Sequence, residues 1–166
     1  RLLPLGPVPV PVMADISTNN RIAEASKARN WELALERLRG LEKPNTFAFL
    51  STIGACTKAG QWETSLQLLG EMKAAGHKPD MWTHSQVLSA CGRAHQWEKS
   101  LELLEDMREN GPPLDTACCN AAVSACAKSA RWEEALRLLE DMKANGPPPN
   151  ERTFASAINA CGKASQ

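Results

Sequence analysis

Apolar residues in this chain recur at three- and four-residue steps in short runs, and the runs themselves recur. In "WETSLQLLGEMKAAG", Trp62, Leu66, Leu69 and Met72 form one stripe of a helix. "WEKSLELLEDMRENG" and "WEEALRLLEDMKANG" repeat that stripe from Trp97 and Trp132. Another helix precedes each stripe or follows the last one, at roughly 47–58, 82–93, 117–128 and 152–163. The apolar faces of these helices are Phe49, Ile53 and Cys56; Val87, Leu88 and Cys91; Cys119, Val123 and Cys126; and Phe154, Ile158 and Cys161. Gly76, Gly111 and Gly146 stand where a helix ends, and prolines follow within three positions.

The spacing decides the architecture. Cys56, Cys91, Cys126 and Cys161 are 35 residues apart, and the Trp, Met and Gly columns keep the same period. Trp31 lies 31 residues before Trp62, so the first unit is shorter. Two short helices bury little by themselves, whereas stacked identical pairs make a continuous core. The pattern therefore predicts an all-α fold, an α-solenoid of stacked antiparallel helix-turn-helix repeats. Its expected parts are an extended Pro-rich arm (1–15), a shortened repeat (16–44), full repeats (45–79, 80–114 and 115–149) and the first helix of a truncated repeat (150–166). The break at "CGKASQ" falls within a unit, which suggests further sequence. The apolar arm "RLLPLGPVPVPVMAD" is expected to dock on the solenoid or a partner, or else to be a disordered or processing remnant.

The cassette "CTKAGQWE" is the hinge between paired helices. Ala59, Ala94 and Ala130 are expected to let the helices approach, and the Trp to lock each hairpin. Equivalent residues of stacked repeats sit about 10 Å apart, and a disulfide needs Cα atoms within about 7 Å. The Cys column is thus read as buried small residues, neither disulfide ladder nor metal cluster. Cys118 and Cys119 are neighbours that point apart. Unpaired thiols suit a reducing compartment.

Charge changes the picture only when it is resolved by layer. Lys plus Arg balances Asp plus Glu, 19 against 19. The first helices with their hinges carry five Lys/Arg and one Asp/Glu, and the second helices five against eleven. Lys58, Arg93, Lys128 and Lys163 form a row 35 residues apart. Such a row suits a groove that tracks a phosphate backbone, although cations also favour helix C-termini on their own account. No apolar run approaches the roughly 18 residues that would cross a bilayer. No Cys-x-x-Cys pair is present. His84 and His95, read on one helix, would be about 16 Å apart, too far to share a metal. No catalytic constellation surrounds the histidines, so neither enzyme activity nor a cofactor or metal is expected.

The Lys-Ala-Gly turn, the Leu-Leu-x-x-Met helix and the "GHKPD" linker occur together in register. A tetratricopeptide repeat would place its Trp in the first helix beside a Tyr, and this chain has no Tyr. The pattern resembles the pentatricopeptide repeat family of organelle RNA-binding proteins, over almost all of the chain after about residue 15. The resemblance implies a right-handed superhelix with single-stranded RNA on the concave wall of first helices, one base per repeat. It implies reader pairs Leu50 with Asp80, Ser85 with Asp115, and Asn120 with Asn150. Ser85/Asp115 would suit a purine, guanine in particular, and Asn120/Asn150 a pyrimidine. Leu50 and Ala155 depart from the family's polar reader. Asn45, Asp80, Asp115 and Asn150 also suit helix capping alone. Phe47 and Trp82 fall where the family packs a side chain against the base, and could equally cover the neighbouring repeat; Ala117 and Arg152 are their counterparts.

Two functions from different classes follow. One is an RNA-binding module that acts on an organelle transcript or ribosomal RNA, in a chloroplast or mitochondrion. The other is a non-enzymatic scaffold, a subunit of an organellar ribosome, respiratory complex or photosystem that uses the solenoid for protein contacts. Three or four stacked bases supply about 6–8 kcal/mol, which is about micromolar binding at best. The first reading thus needs more repeats or a larger assembly.

Overall fold

The computed structural model describes residues 12–164. Helices over these residues are α1 (Val12–Lys27), α2 (Trp31–Arg39), α3 (Thr46–Ala59), α4 (Trp62–Ala74), α5 (Met81–Arg93), α6 (Trp97–Asn110), α7 (Thr116–Lys128), α8 (Trp132–Asn145) and α9 (Glu151–Ala164). No strand occurs among the described residues. The chain is an all-α helical-repeat solenoid. Most of the segment read as an extended arm lies outside the described residues. Its end is helical instead: α1 begins at Val12, directly after Pro11, the last proline before residue 44.

The odd-numbered helices form one continuous layer. α3 packs on α1, α5 on α3, α7 on α5 and α9 on α7. Each even-numbered helix packs on its own partner and on the next odd-numbered one. Successive even-numbered helices do not meet backbone to backbone. Side-chain size explains the difference. The buried residues of the odd layer are mostly small: Ala48, Gly54, Ala55 and Cys56; then Ala90, Cys91 and Gly92; then Ala122, Ala125 and Cys126. A Cβ on Gly92 would already lie 3.3 Å from the Cβ of Ala125. The even layer buries Leu68, Leu69 and Met72, then Leu103, Leu104 and Met107, then Leu139 and Met142. Small residues inside and large ones outside make each hairpin a wedge, and stacked wedges curve toward the odd-numbered layer.

Ion pairs bridge the outer layer. Lys73 on α4 pairs with Asp106 on α6, and Arg108 on α6 with Asp141 on α8. The cation follows the buried Met of one repeat, and the acid precedes the Met of the next. The hydrogen bond from Lys73 holds the Asp106 carboxyl below its usual range.

The Trp column differs from its expected role. Trp62 and Trp97 are only half-buried, on the flank of the core. Trp97 reaches forward to the cluster around Val123 and Cys126, and the Arg131 guanidinium sits 4.8 Å over its ring. Trp132 is 41% exposed. Trp97 therefore ties its repeat to the next one, and the column as a whole lies at the edge of the core rather than inside it.

The hinge residues also differ from expectation. Ala59 and Ala130 are exposed and Ala94 is half-buried, so they do not mediate the helix approach. Gly60, His95 and Ala130 share one column and take left-handed φ values of 80°, 60° and 54°; Arg29 closes the first hairpin at 57°. A β-carbon costs about 1–2 kcal/mol in that conformation, offset in part by the greater freedom of glycine in the unfolded chain. Ala130→Gly is accordingly expected to stabilise the chain by about 0.5–1 kcal/mol, read as a higher Tm. An unchanged or lower Tm would contradict this.

The glycines that end the second helices use two geometries. Gly76 is left-handed, at φ 81°. Gly111 and Gly146 are extended, and an added Cβ would lie 2.7 Å and 2.9 Å from the Cα atoms of Met107 and Met142. Those two positions need glycine for space rather than for its backbone freedom.

Candidate functional site

The site is built from the first two turns and the last turn of the odd-numbered helices. Each helix opens on a capping side chain. Asn45 Oδ1 accepts from the Ala48 N–H (2.9 Å), Asp80 Oδ1 from Thr83 (2.8 Å) and Asp115 Oδ1 from Cys118 (2.7 Å). Asn150 Oδ1 accepts from the Thr153 N–H at 3.1 Å. Capping fixes each of these side chains at the start of its helix, and Asn150 is also bonded to Asn120 of the preceding repeat.

The expected pairs fare differently. Asn120 and Asn150 are joined directly, Nδ2 of Asn120 donating to Oδ1 of Asn150 at 3.2 Å. The buried Thr153 hydroxyl donates to Asn120 Oδ1 at 2.5 Å and accepts from the Asn150 N–H at 3.0 Å. The amide of Asn120 is therefore held in one orientation. Ser85 is half-buried within reach of the same wall. Leu50 is packed against the core cluster, and its expected partner Asp80 accepts from the Thr83 hydroxyl as well as from its N–H. That position offers a base no donor or acceptor from Leu50.

Two grooves join some of these residues, while Asn45, Leu50, Asp80 and Asp115 line neither. Ser85, Asn120, Ser124, Lys128, Asn150 and Arg152 line one groove on the odd-numbered layer. Lys58 and Arg93 line a second, with Arg29, Thr57, Gln86 and Ser89. Ser89 lines both, so the two are contiguous along α5. Lys58, Arg93, Lys128 and Lys163 are all exposed. Arg93 is partly engaged, donating to the Thr57 carbonyl and to Ser89 Oγ. Phe47 and Trp82 are 49% and 58% exposed at the helix starts, and neither lines either groove.

Two cations escaped the sequence reading. Lys27 stands four residues before Trp31, as Lys58 does before Trp62, and is exposed. Counting back from the Trp rather than from the Cys would have found it. Arg29 has no such signal, because its counterpart in the next hairpin is Gly60.

The histidines do other work. His95 is not on α5 but past its end, where Nδ1 donates to the Lys128 carbonyl at 3.2 Å. His77 Nε2 donates to the Pro44 carbonyl at 3.0 Å, and its Nδ1 accepts from the Thr46 hydroxyl at 3.0 Å. His84 is fully buried, Nδ1 donating to the Asp80 carbonyl at 2.9 Å, and burial holds its imidazole below the ordinary value. Burial likewise pushes the thiols of Cys56, Cys91 and Cys126 up to about 11, which leaves them poor nucleophiles at neutral pH. Among the described residues no group of three or more His, Cys, Asp or Glu is placed to hold a metal ion. No described helix is long and apolar enough to cross a membrane.

Models of known families match the chain over most of this wall. The PPR repeat family model matches residues 44–93 and 114–163, and a PPR repeat model matches residues 82–112. No curated protein matches. In structure the chain is similar to the pentatricopeptide repeat protein PPR10 from maize, with TM-score 0.63 and 22% identity over 96% of this chain and 30% of that one. It is also similar to PPR10 in complex with an 18-nt psaJ RNA element, with TM-score 0.71 and 27% identity over 98% and 24%. A third similar structure is nuclear proteinaceous RNase P 2 (PRORP2) from A. thaliana, with TM-score 0.75 and 12% identity over 92% and 35%. The chain thus spans about a quarter to a third of the length of these proteins.

Proposed function

Because the chain belongs to the pentatricopeptide repeat family, we propose that it binds single-stranded RNA along its odd-numbered helices, one base per repeat, as part of an organellar protein. One observation carries this reading. Ser85, Asn120, Asn150 and Lys128, assigned from sequence to base readout and phosphate contact, line one groove. Bases would meet Ser85/Asp115 and the tethered Asn120/Asn150 pair, and phosphates would follow the cation row. Phe47 and Trp82 are exposed enough to stack on bases. Leu50/Asp80 contributes contact without selection. The similarity to PPR10 bound to RNA supports the same reading.

Phe154 and Ile158, expected to be core, are 42% and 71% exposed, because α9 packs on α7 and α8 and no described helix covers its other side. The scaffold alternative is favoured by a different observation: Leu50, at a reader position, packs against the core cluster and offers a base no donor or acceptor.

A titration separates the two. Short single-stranded RNAs are added to the purified chain at several salt concentrations, and binding is read by fluorescence anisotropy. Four phosphate contacts predict a log–log slope near −3, from about 0.7 per phosphate on a single strand. No binding at tens of micromolar and low salt would overturn the RNA reading in favour of the scaffold.

A further inference from the structure

We propose that Arg29 joins Lys58 and Arg93 in a three-cation pocket at the hinge between α1 and α2, and adds one RNA phosphate contact to those of the row. The inference rests on the RNA-binding reading and adds a contact outside the 35-residue register.

Three independent features support it. Arg29 lines the groove with Lys58 and Arg93, among Thr57, Gln86 and Ser89, and no carboxylate lines that groove. Like charges gathered without an acid repel one another, and a bound anion relieves that repulsion. Next, the pocket is partly preorganised. Arg93 is held by the Thr57 carbonyl and the Ser89 hydroxyl, and Thr57 donates to Gln86 Oε1 at 2.9 Å. Among the described residues the exposed Arg29 guanidinium has no hydrogen-bond or ion-pair partner, so its donors face the groove unengaged. Finally, Arg29 holds a left-handed backbone at φ 57°, at the position that Gly60 fills in the next hairpin. An arginine there is strained where a glycine would not be. His95 and Ala130 carry the same strain in their hairpins, and of the three only Arg29 lines the cation groove.

The pocket adjoins the reading wall, since Ser89 also lines the groove of Ser85 and Asn120. A phosphate held there sits beside the bases rather than at a remote patch. Arginine suits it through a planar fork that matches phosphate oxygens, where lysine offers a point charge.

The test uses the full chain, labelled single-stranded RNA and three variants, Arg29→Gly, Arg29→Ala and Arg29→Lys. Arg29→Gly and Arg29→Ala are expected to lower the salt slope by about 0.7 and affinity at 0.1 M salt by about fivefold, one phosphate contact. Arg29→Lys is expected to keep the slope. Thermal melts separate charge from strain: Arg29→Gly should raise Tm while binding falls, and Arg29→Ala should lose binding with no gain in Tm. Wild-type slope and affinity in both the Gly and Ala variants, with the parent chain binding RNA normally, would overturn the pocket and leave the RNA reading intact. Absence of RNA binding by the parent chain would overturn the RNA reading and the pocket with it.

Discussion

Leu88→Ala is expected to destabilise the chain by about 3 kcal/mol, the middle of the roughly 2–5 kcal/mol range for emptying a buried leucine site. Leu88 is completely buried on α5, which packs on α3, α4, α6 and α7. The cavity would open in the main core cluster, on the helix that joins the units before and after it. In a solenoid each repeat is held only by its neighbours, so a weak central unit also loosens the two halves from each other. Urea denaturation followed by circular dichroism should show a much lower midpoint or a split transition. Phe154→Ala is the comparison, since Phe154 is 42% exposed. It should cost about 1–2 kcal/mol, the roughly 1.5–3 kcal/mol of burying a large apolar side chain scaled by the part of Phe154 that is buried. Equal losses in the two variants would show that α5 is not the centre of the core.

Replacing Lys58, Arg93, Lys128 and Lys163 together by Glu is expected to abolish RNA binding. If each removed contact is worth about 0.7 in log–log slope, losing four at about 0.1 M salt costs on the order of 500-fold, before repulsion by the new acids. Micromolar binding would then pass beyond measurement. The variant also faces the negative ends of four helices, at about 0.3–1 kcal/mol each. Arg93 additionally bridges to the Thr57 carbonyl and Ser89. A matched set of Gln replacements, with circular dichroism to show that the helices persist, separates lost contacts from lost fold. Unchanged affinity in the folded Gln set would mean that the row serves helix ends alone.

The helices and most of the core were legible because burial and period coincide. Met72, Met107 and Met142 recur at one spacing and are all buried. Phe154 and Ile158 share that pattern yet are exposed, because a sequence shows which face is apolar and not what covers it. The hinge was less legible. Gly60 announces a left-handed residue, but Arg29, His95 and Ala130 take the same conformation with no residue type to signal it. Gly111 and Gly146 were legible as helix ends, but not their reason for being glycine, which is space beside Met107 and Met142. Along the odd-numbered layer, the capping residues were identifiable from their place before each helix. Thr153 was not, since it belongs to one repeat and holds the Asn120 amide of the repeat before it. Contacts of that kind cross the unit boundary that sequence periodicity uses to divide the chain.

The ladder of Lys73 to Asp106 and Arg108 to Asp141 has a direction. Every rung runs from a cation in one unit to an acid in the unit after it, so a unit carries a socket on one side and a plug on the other. Copies joined head to tail would meet through ready-made surfaces, whereas an inverted copy would set like charges together. Growth by tandem duplication of whole units, or deliberate lengthening of the array by splicing at the linkers, therefore needs no new joint to be invented.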